Sequence, residues 1–139
     1  MPAELFVDTS GWFPLVDNEN PAHDRVAQAL RNSVQKKRRI VTTNLVIAET
    51  HALIMRRIHR TAAIAFLREV SRAPNIVISS TPEYEATAEA DWLSRYTDHD
   101  FSFTDAVSFA VMSDRNIREA LGLDNHFIVA GFSLLPSPP

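Results

Sequence analysis

The stretch LFVDTSGWF, residues 5–13, ends an apolar run on a carboxylate, and this arrangement decides the fold class. Residues 5–7 have the character of a buried strand, and Asp8 follows where the run would be expected to continue into the core. Because Asp is a favoured helix N-cap, one interpretation is that Asp8 caps a short helix beginning at Thr9 or Ser10. The stretch therefore predicts a buried strand that leads directly into a helix.

Short apolar or β-branched runs recur along the chain, separated by helical patterns. The predicted strands are residues 4–8, 39–43, 75–79, 119–123 and 132–135. The predicted helices between them are residues 22–37, 44–58, 61–72, 82–96 and 103–115. Strands that alternate with helices imply right-handed crossovers and a parallel sheet covered on both faces. The sequence therefore predicts a three-layer α/β/α fold with a central parallel sheet of four to five strands flanked by helices.

Length, cysteine content and charge limit the class of protein. The 139 residues suffice for one core, and we expect a single domain over residues 1–135 with a flexible tail at 136–139. The absence of cysteine excludes disulfides and thiolate zinc sites, and fits a reducing compartment. Neither a signal-peptide pattern nor a membrane-length apolar run occurs, so we expect a soluble, cytoplasmic protein. A net charge of −3 requires any nucleic-acid contact to be local.

Glu49 is an acid inside the predicted helix 44–58. Leu45 and Leu53 lie four residues before and after it, so its carboxylate shares the helix face expected to pack on the sheet. Glutamate is almost never fully buried without a partner. One interpretation is therefore a salt bridge to Arg56 or Arg57, and the other is a functional site.

Two further acids lie at predicted helix starts. Ser102 and Asp105 have the spacing of a capping box, but the following helix is so apolar that its N-terminus is expected to be buried. Asp124 follows the fourth predicted strand and could simply cap a short helix. Each acid alone has an ordinary structural explanation.

Together, the four acids predict a metal site, because ligands of open parallel sheets collect at the carboxyl ends of the strands. Four carboxylates at one edge would repel one another and raise each other's pKa. A divalent cation bound through oxygens relieves that repulsion, and Mg²⁺ or Mn²⁺ suits such ligands. The glycine motifs of nucleotide-binding loops are absent, so we expect no organic cofactor.

Four stretches, in this order, resemble the signature motifs of PIN domains: FVDTSGW, TNLVIAET, FSFTDAVSFAVM and LGLDNHFIVAGF. The resemblance covers nearly the whole chain and is closest to the VapC-type toxins of type II toxin–antitoxin systems. It implies a Mg²⁺- or Mn²⁺-dependent endoribonuclease that cuts transfer RNA or another structured RNA, forms a homodimer and is inhibited by an antitoxin protein. The positions that match the family's catalytic and metal-binding acids are Asp8, Glu49, Asp105 and Asp124. The polar positions that accompany them are Thr9, Asn44 and Thr104.

The metal-dependent reaction would use a metal-activated water, so it needs no histidine as a general base. His51, His99 and His126 are therefore interpreted as surface, packing or RNA-contact residues. The last motif carries Asn125 where the resemblance leads us to expect a basic or histidine residue. We expect this difference to affect binding of RNA phosphates rather than the cleavage chemistry.

Two basic clusters, at 36–39 and 56–60, could contact RNA phosphates or simply lie at helix C-termini, where cations favourably meet the helix dipole. The second cluster follows the helix of Glu49 and is the better candidate. Its arginines are Arg56, Arg57 and Arg60. Trp12 and Phe13 could stack on an unpaired base or pack the first helix.

A non-catalytic PIN-like module that binds RNA or a protein is the alternative function. The presence of all four acids favours the enzyme, because a binding module has no need of a complete metal-ligand set.

Overall fold

In the computed structural model, which describes residues 3–138, five short strands form one parallel sheet. The strands are β1 (Glu4–Val7), β2 (Arg39–Thr43), β3 (Ile76–Ile78), β4 (Glu119–Leu121) and β5 (Ser133–Leu135). Their order in the sheet is β3-β2-β1-β4-β5, so β1 is central and pairs with both β2 and β4. The predicted parallel α/β fold is confirmed. Pro139, the last residue of the predicted tail, lies outside the described residues.

The described residues form seven helices that flank the sheet. They are α1 (Thr9–Val16), α2 (His23–Gln35), α3 (Asn44–Arg57), α4 (Arg60–Val70), α5 (Pro82–Thr87), α6 (Phe103–Asp114) and α7 (His126–Val129). Most predicted helices agree with these bounds to within a few residues. The prediction for 82–96 differs, because the chain changes there from an α-helix to a π-helical segment at Ala88–Leu93.

Helix α6 is an interior helix, as its apolar sequence predicts. Residues 105–112 are all buried. Phe109 packs edge-on against Phe101 and Phe127, with ring centroids 5.1 and 5.0 Å apart. The burial of α6 carries its first turn, and therefore Asp105, into the interior.

The junction of β1 and α1 is equally buried. Residues 5–7 have no exposed surface, and Trp12 and Phe13 are each only 8% exposed. The Trp12 indole N–H donates to Thr42 Oγ1 at 3.3 Å, which fastens α1 to β2. Trp12 and Phe13 therefore pack the first helix and do not form an exposed stacking surface.

Two glycines allow α1 to start in direct contact with the end of β4. The backbone N–H of Asp8 donates to the Leu121 carbonyl oxygen at 3.2 Å. A Cβ on Gly11 would lie 2.4 Å from that same oxygen, and a Cβ on Gly122 would lie 2.5 Å from Ser10 Oγ. Residues without side chains are therefore required on both sides of this contact.

The substitution Gly11→Ala tests the close approach. Alanine has the higher helix propensity by about 1 kcal/mol, so it would stabilise α1 if there were room for a methyl group. We expect instead a loss of roughly 1–3 kcal/mol in the free energy of unfolding, because the methyl group meets a backbone carbonyl that cannot move alone. Urea denaturation measures the change. Unchanged or increased stability would contradict the contact.

Candidate metal centre

Asp8 follows the last residue of β1 and caps α1. Its Oδ2 atom accepts hydrogen bonds from the Ser10 backbone N–H at 3.1 Å and from Ser10 Oγ at 2.8 Å. Its Oδ1 atom is buried and has no hydrogen-bond partner among the described residues. The two oxygens therefore differ: Oδ2 holds the helix, and Oδ1 remains available to a ligand.

The environment of Asp8 opposes its ionisation. The residue is only 3% exposed, and burial raises its pKa from 3.8 to about 7, against the lowering effect of the Ser10 hydrogen bonds. The nearby carboxylates of Asp105 and Asp124 contribute smaller upward effects to this pKa of about 7. The mutual repulsion expected of clustered acids is therefore present, and it involves three of the four predicted residues: Asp8, Asp105 and Asp124.

Ser10 joins the Asp8 turn to the loop after β4. Its hydroxyl donates to Asp8 and accepts from the backbone N–H groups of Leu123 and Asp124, at 2.9 and 3.2 Å. One side chain thereby fixes two acids that lie far apart in the sequence. No local motif singles out Ser10 in the sequence, although its position two residues after Asp8 is a usable signal.

Asp105 occupies the first turn of α6. The predicted capping box is present: Ser102 Oγ accepts from the Asp105 backbone N–H at 3.0 Å, and Asp105 Oδ2 accepts from the Ser102 backbone N–H at 3.3 Å. Asp105 is 7% exposed. Its Oδ2 atom also lies 3.1 Å from His126 Nδ1. The cap therefore holds the Asp105 carboxylate in place, and both of these contacts are made by the same oxygen, Oδ2.

Asp124 and His126 form a tight turn at the start of α7. Asp124 Oδ1 accepts from the His126 backbone N–H at 2.9 Å and lies 3.6 Å from His126 Nδ1. With Asp105, these two residues offer three ligand atoms that all lie within 4.8 Å of one another. Asp124 also lines a cavity of about 330 Å³ together with Asp8 and Glu49.

This set of donors fits a divalent cation. Asp8 Oδ1 is a buried carboxylate oxygen without a hydrogen-bond partner among residues 3–138, and a buried polar atom of that kind is costly unless something binds it. The carboxylates of Asp105 and Asp124 lie near enough to act on it electrostatically, and hard divalent ions prefer carboxylate ligands.

A model of the PIN domain family matches residues 5–132 of the chain. The chain belongs to the PIN domain family. It is 36% identical over 132 residues to the 23S rRNA-specific endonuclease VapC20 of Mycobacterium tuberculosis, in both the CDC 1551 and H37Rv strains, which covers 92% of this chain and 95% of the relative. The crystal structure of M. tuberculosis VapC20, described as a sarcin–ricin loop cleaving toxin, matches with a TM-score of 0.85 and 32% identity, over 93% of this chain and 96% of that one. The predicted resemblance to VapC-type toxins is confirmed.

Glu49 lines the same cavity as Asp8 and Asp124. The prediction that it lies on the buried face of α3 is wrong, because its side chain is exposed. The buried positions of α3 are Val46, Thr50 and Ile54, so the interior stripe runs beside Glu49 rather than through it. Glu49 is exposed and lines the cavity with Asp8. Within residues 3–138, none of the ion pairs involves Glu49, so the salt bridge to an arginine of α3 is also absent.

The three polar residues expected beside the acids have different surroundings. Thr9 lines the cavity, and its Oγ1 accepts from Thr50 Oγ1 at 3.0 Å. Asn44 Oδ1 accepts from the Ser80 backbone N–H at 2.8 Å, so this side chain fastens the start of α3 to the segment after β3. Thr104 contributes its carbonyl oxygen to Ser108 Oγ at 2.8 Å. Of the three side chains, only that of Thr9 lines the cavity.

Of the candidate histidines and arginines, only His126 contacts the acids. His126 contacts the acids directly, whereas His99 is exposed and His51 is half-buried on α3. Asn125, where the resemblance leads one to expect a basic or histidine residue, is exposed and directly precedes His126. Arg56 and Arg57 are exposed in the last turn of α3, and Arg60 is exposed at the start of α4.

None of the helices formed by the described residues is long and apolar enough to cross a membrane.

The raised pKa of Asp8 predicts an unusual pH dependence of stability in the absence of metal. The folded protein keeps the Asp8 proton up to about pH 7, whereas the unfolded chain releases it above about pH 3.8. Stability that is present below pH 3.8 is therefore lost as the pH rises to about 7, by roughly 4 kcal/mol at 1.36 kcal/mol per pKa unit. Asp8→Asn removes this loss and keeps a good N-cap.

Urea denaturation between pH 5 and 8 in EDTA measures this effect. We expect the variant to gain stability relative to the wild type as the pH rises. Parallel stability profiles of the two proteins would show that Asp8 does not titrate in this range.

Proposed function

We propose that this protein is a divalent-metal-dependent endoribonuclease and the toxin of a toxin–antitoxin pair. The observation that carries the proposal is the buried Asp8 Oδ1 atom, which has no hydrogen-bond partner in the described part of the chain and belongs to a carboxyl group that interacts electrostatically with Asp105 and Asp124. A binding module would have no use for so costly an arrangement. Kinship with VapC20, named as a 23S rRNA-specific endonuclease, supports RNA as the substrate class.

The residues that would hold Mg²⁺ or Mn²⁺ are Asp8, Asp105 and Asp124, with Glu49 at the cavity. When bound, a divalent ion supplies a hydrolytic water of lowered pKa and neutralises charge on the phosphate. Asp8 presents Oδ1 because Ser10 engages Oδ2. Glu49 is exposed, so its carboxylate can approach a metal-bound substrate from the solvent side. Thr9 completes the polar wall beside Asp8.

The substrate we propose first is the large ribosomal RNA, because the solved VapC20 structure is described as that of a sarcin–ricin loop cleaving toxin. Transfer RNA is the second substrate to compare. With a net charge of −3, the protein must bind either RNA through local basic groups. Arg56, seven residues and thus about 10 Å along α3 from Glu49, is the first candidate, with Arg57 and Arg60 beside it.

The protein partners we propose are a cognate antitoxin and a second copy of this chain, both acting in the cytoplasm. The large apolar side chains exposed on the described surface, from which an interface could be built, include Val34, Met55, Leu67 and Val77.

Cleavage assays with the acid variants test the activity. We expect wild-type protein to cut a ribosomal RNA fragment in Mg²⁺ or Mn²⁺ and to stop in EDTA. Asp8→Asn and Asp105→Asn should each lower the rate roughly a hundredfold or more, because each removes a ligand worth several kcal/mol of transition-state stabilisation. Asp24→Asn, at an exposed acid of α2, is the matched control and should cut normally. RNA binding without cleavage in any metal would favour the non-catalytic module instead.

The salt dependence of RNA binding tests Arg56. If Arg56 contacts a phosphate, Arg56→Ala should weaken binding and reduce the slope of log K against log salt by about 0.7–0.9. Arg72→Ala is the control, because Arg72 is an exposed arginine paired with Glu69. Equal slopes for both variants and the wild type would leave Arg56 only its interaction with the helix dipole.

A further inference from the structure

The imidazole of His126 lies between two of the acids that form the candidate metal centre. Its Nδ1 atom is 3.1 Å from Asp105 Oδ2 and 3.6 Å from Asp124 Oδ1. The ring is therefore placed within reach of the same two carboxylates that would hold an ion.

Hydrogen bonds of the backbone help to set the position of the His126 ring. Asp124 Oδ1 accepts from the His126 backbone N–H at 2.9 Å, and Ser10 Oγ accepts from the Asp124 backbone N–H at 3.2 Å. The turn therefore presents the Asp124 carboxylate and the His126 ring on the same side. Because Ser10 also holds Asp8, the turn is tied to the remaining acid of the centre.

Aromatic packing fixes the ring from the other side. Phe101 meets the His126 ring edge to face, with centroids 5.3 Å apart, and Phe101 itself is 7% exposed. Phe109 of the interior helix α6 packs against Phe101 in turn, at 5.1 Å. The imidazole is thus pre-oriented, yet 37% of its side chain remains open to solvent and to an entering ion.

The donor atoms lie close enough together to contact one ion. One carboxylate oxygen of Asp105, one of Asp124 and one ring nitrogen of His126 all lie within 4.8 Å of one another. The His126 nitrogen Nδ1 is 3.1 Å from the Asp105 oxygen and 3.6 Å from the Asp124 oxygen, so an ion held by the two carboxylates would also be within reach of the imidazole.

We propose that His126 Nδ1 is a ligand of the divalent ion, so that the centre has a mixed nitrogen and oxygen donor set and prefers Mn²⁺ to Mg²⁺. The inference rests on the proposed metal-dependent function and extends it to the identity of the ion. Mg²⁺ takes oxygen ligands and loses its waters reluctantly, whereas imidazole suits first-row transition ions. Asn125, one residue earlier, plays no part in this ligand set.

Pulsed electron paramagnetic resonance of the Mn²⁺-loaded protein tests the inference without any activity measurement. We expect nitrogen modulation from a directly bound imidazole in the wild type, and its loss in His126→Ala. His99→Ala is the matched control, because His99 stacks on Phe101 at 5.9 Å within the same aromatic cluster but is exposed. It should retain the modulation. If His126→Ala does not fold, wild-type protein labelled with [¹⁵N]histidine distinguishes imidazole from backbone nitrogen.

Titration calorimetry with Mn²⁺ and with Mg²⁺ provides the second measurement. His126→Asp replaces nitrogen by oxygen and should lower the ratio of Mn²⁺ to Mg²⁺ affinity by roughly tenfold or more, in the range of losses seen when metal sites are altered. Bound Mn²⁺ without nitrogen modulation, or an unchanged affinity ratio, overturns the His126 assignment and leaves the proposed nuclease intact. Failure of the wild type to bind either ion overturns both.

Discussion

The hydrogen bonds of Ser10 are the interaction on which the rest of the centre depends. A single hydroxyl donates to Asp8 Oδ2 and accepts from two backbone N–H groups of the loop after β4. It therefore fixes the carboxylate at the end of β1 and the turn that carries Asp124 at the same time. The absence of a side chain at Gly122 makes room for this hydroxyl.

The burial of Asp8 lowers the free energy of unfolding of the metal-free protein. A carboxylate that is only 3% exposed, with one oxygen that has no partner among the residues that the structure describes, is destabilising in a domain whose core is otherwise mainly apolar. Local departures of this kind from the rules of stable packing are concentrated at functional sites. A bound cation would convert the unfavourable carboxylate into a ligand, so the same group that weakens the metal-free protein would strengthen the loaded one.

The sequence predicted the features that depend on local pattern. The alternation of strands and helices, the cap at Asp8 and the capping box at Asp105 all follow from short-range preferences. The exposure of Glu49 did not follow, because a rotation of one residue about the axis of α3 moves the interior stripe to Val46 and Thr50. The roles of Ser10 and His126 depend on contacts across the sheet, which no local spacing encodes. The proximity of Asp8, Asp105 and Asp124 could therefore be predicted from the sequence, but the groups that orient these acids could not.

The contact between Ser10 and Leu123 joins residues 113 positions apart. A growing chain presents Asp8 early, but it lacks the turn to which Ser10 ties Asp8 until the segment after β4 has been synthesised and released from the ribosome. The order of synthesis thus delays assembly of the acid cluster until most of the domain has emerged.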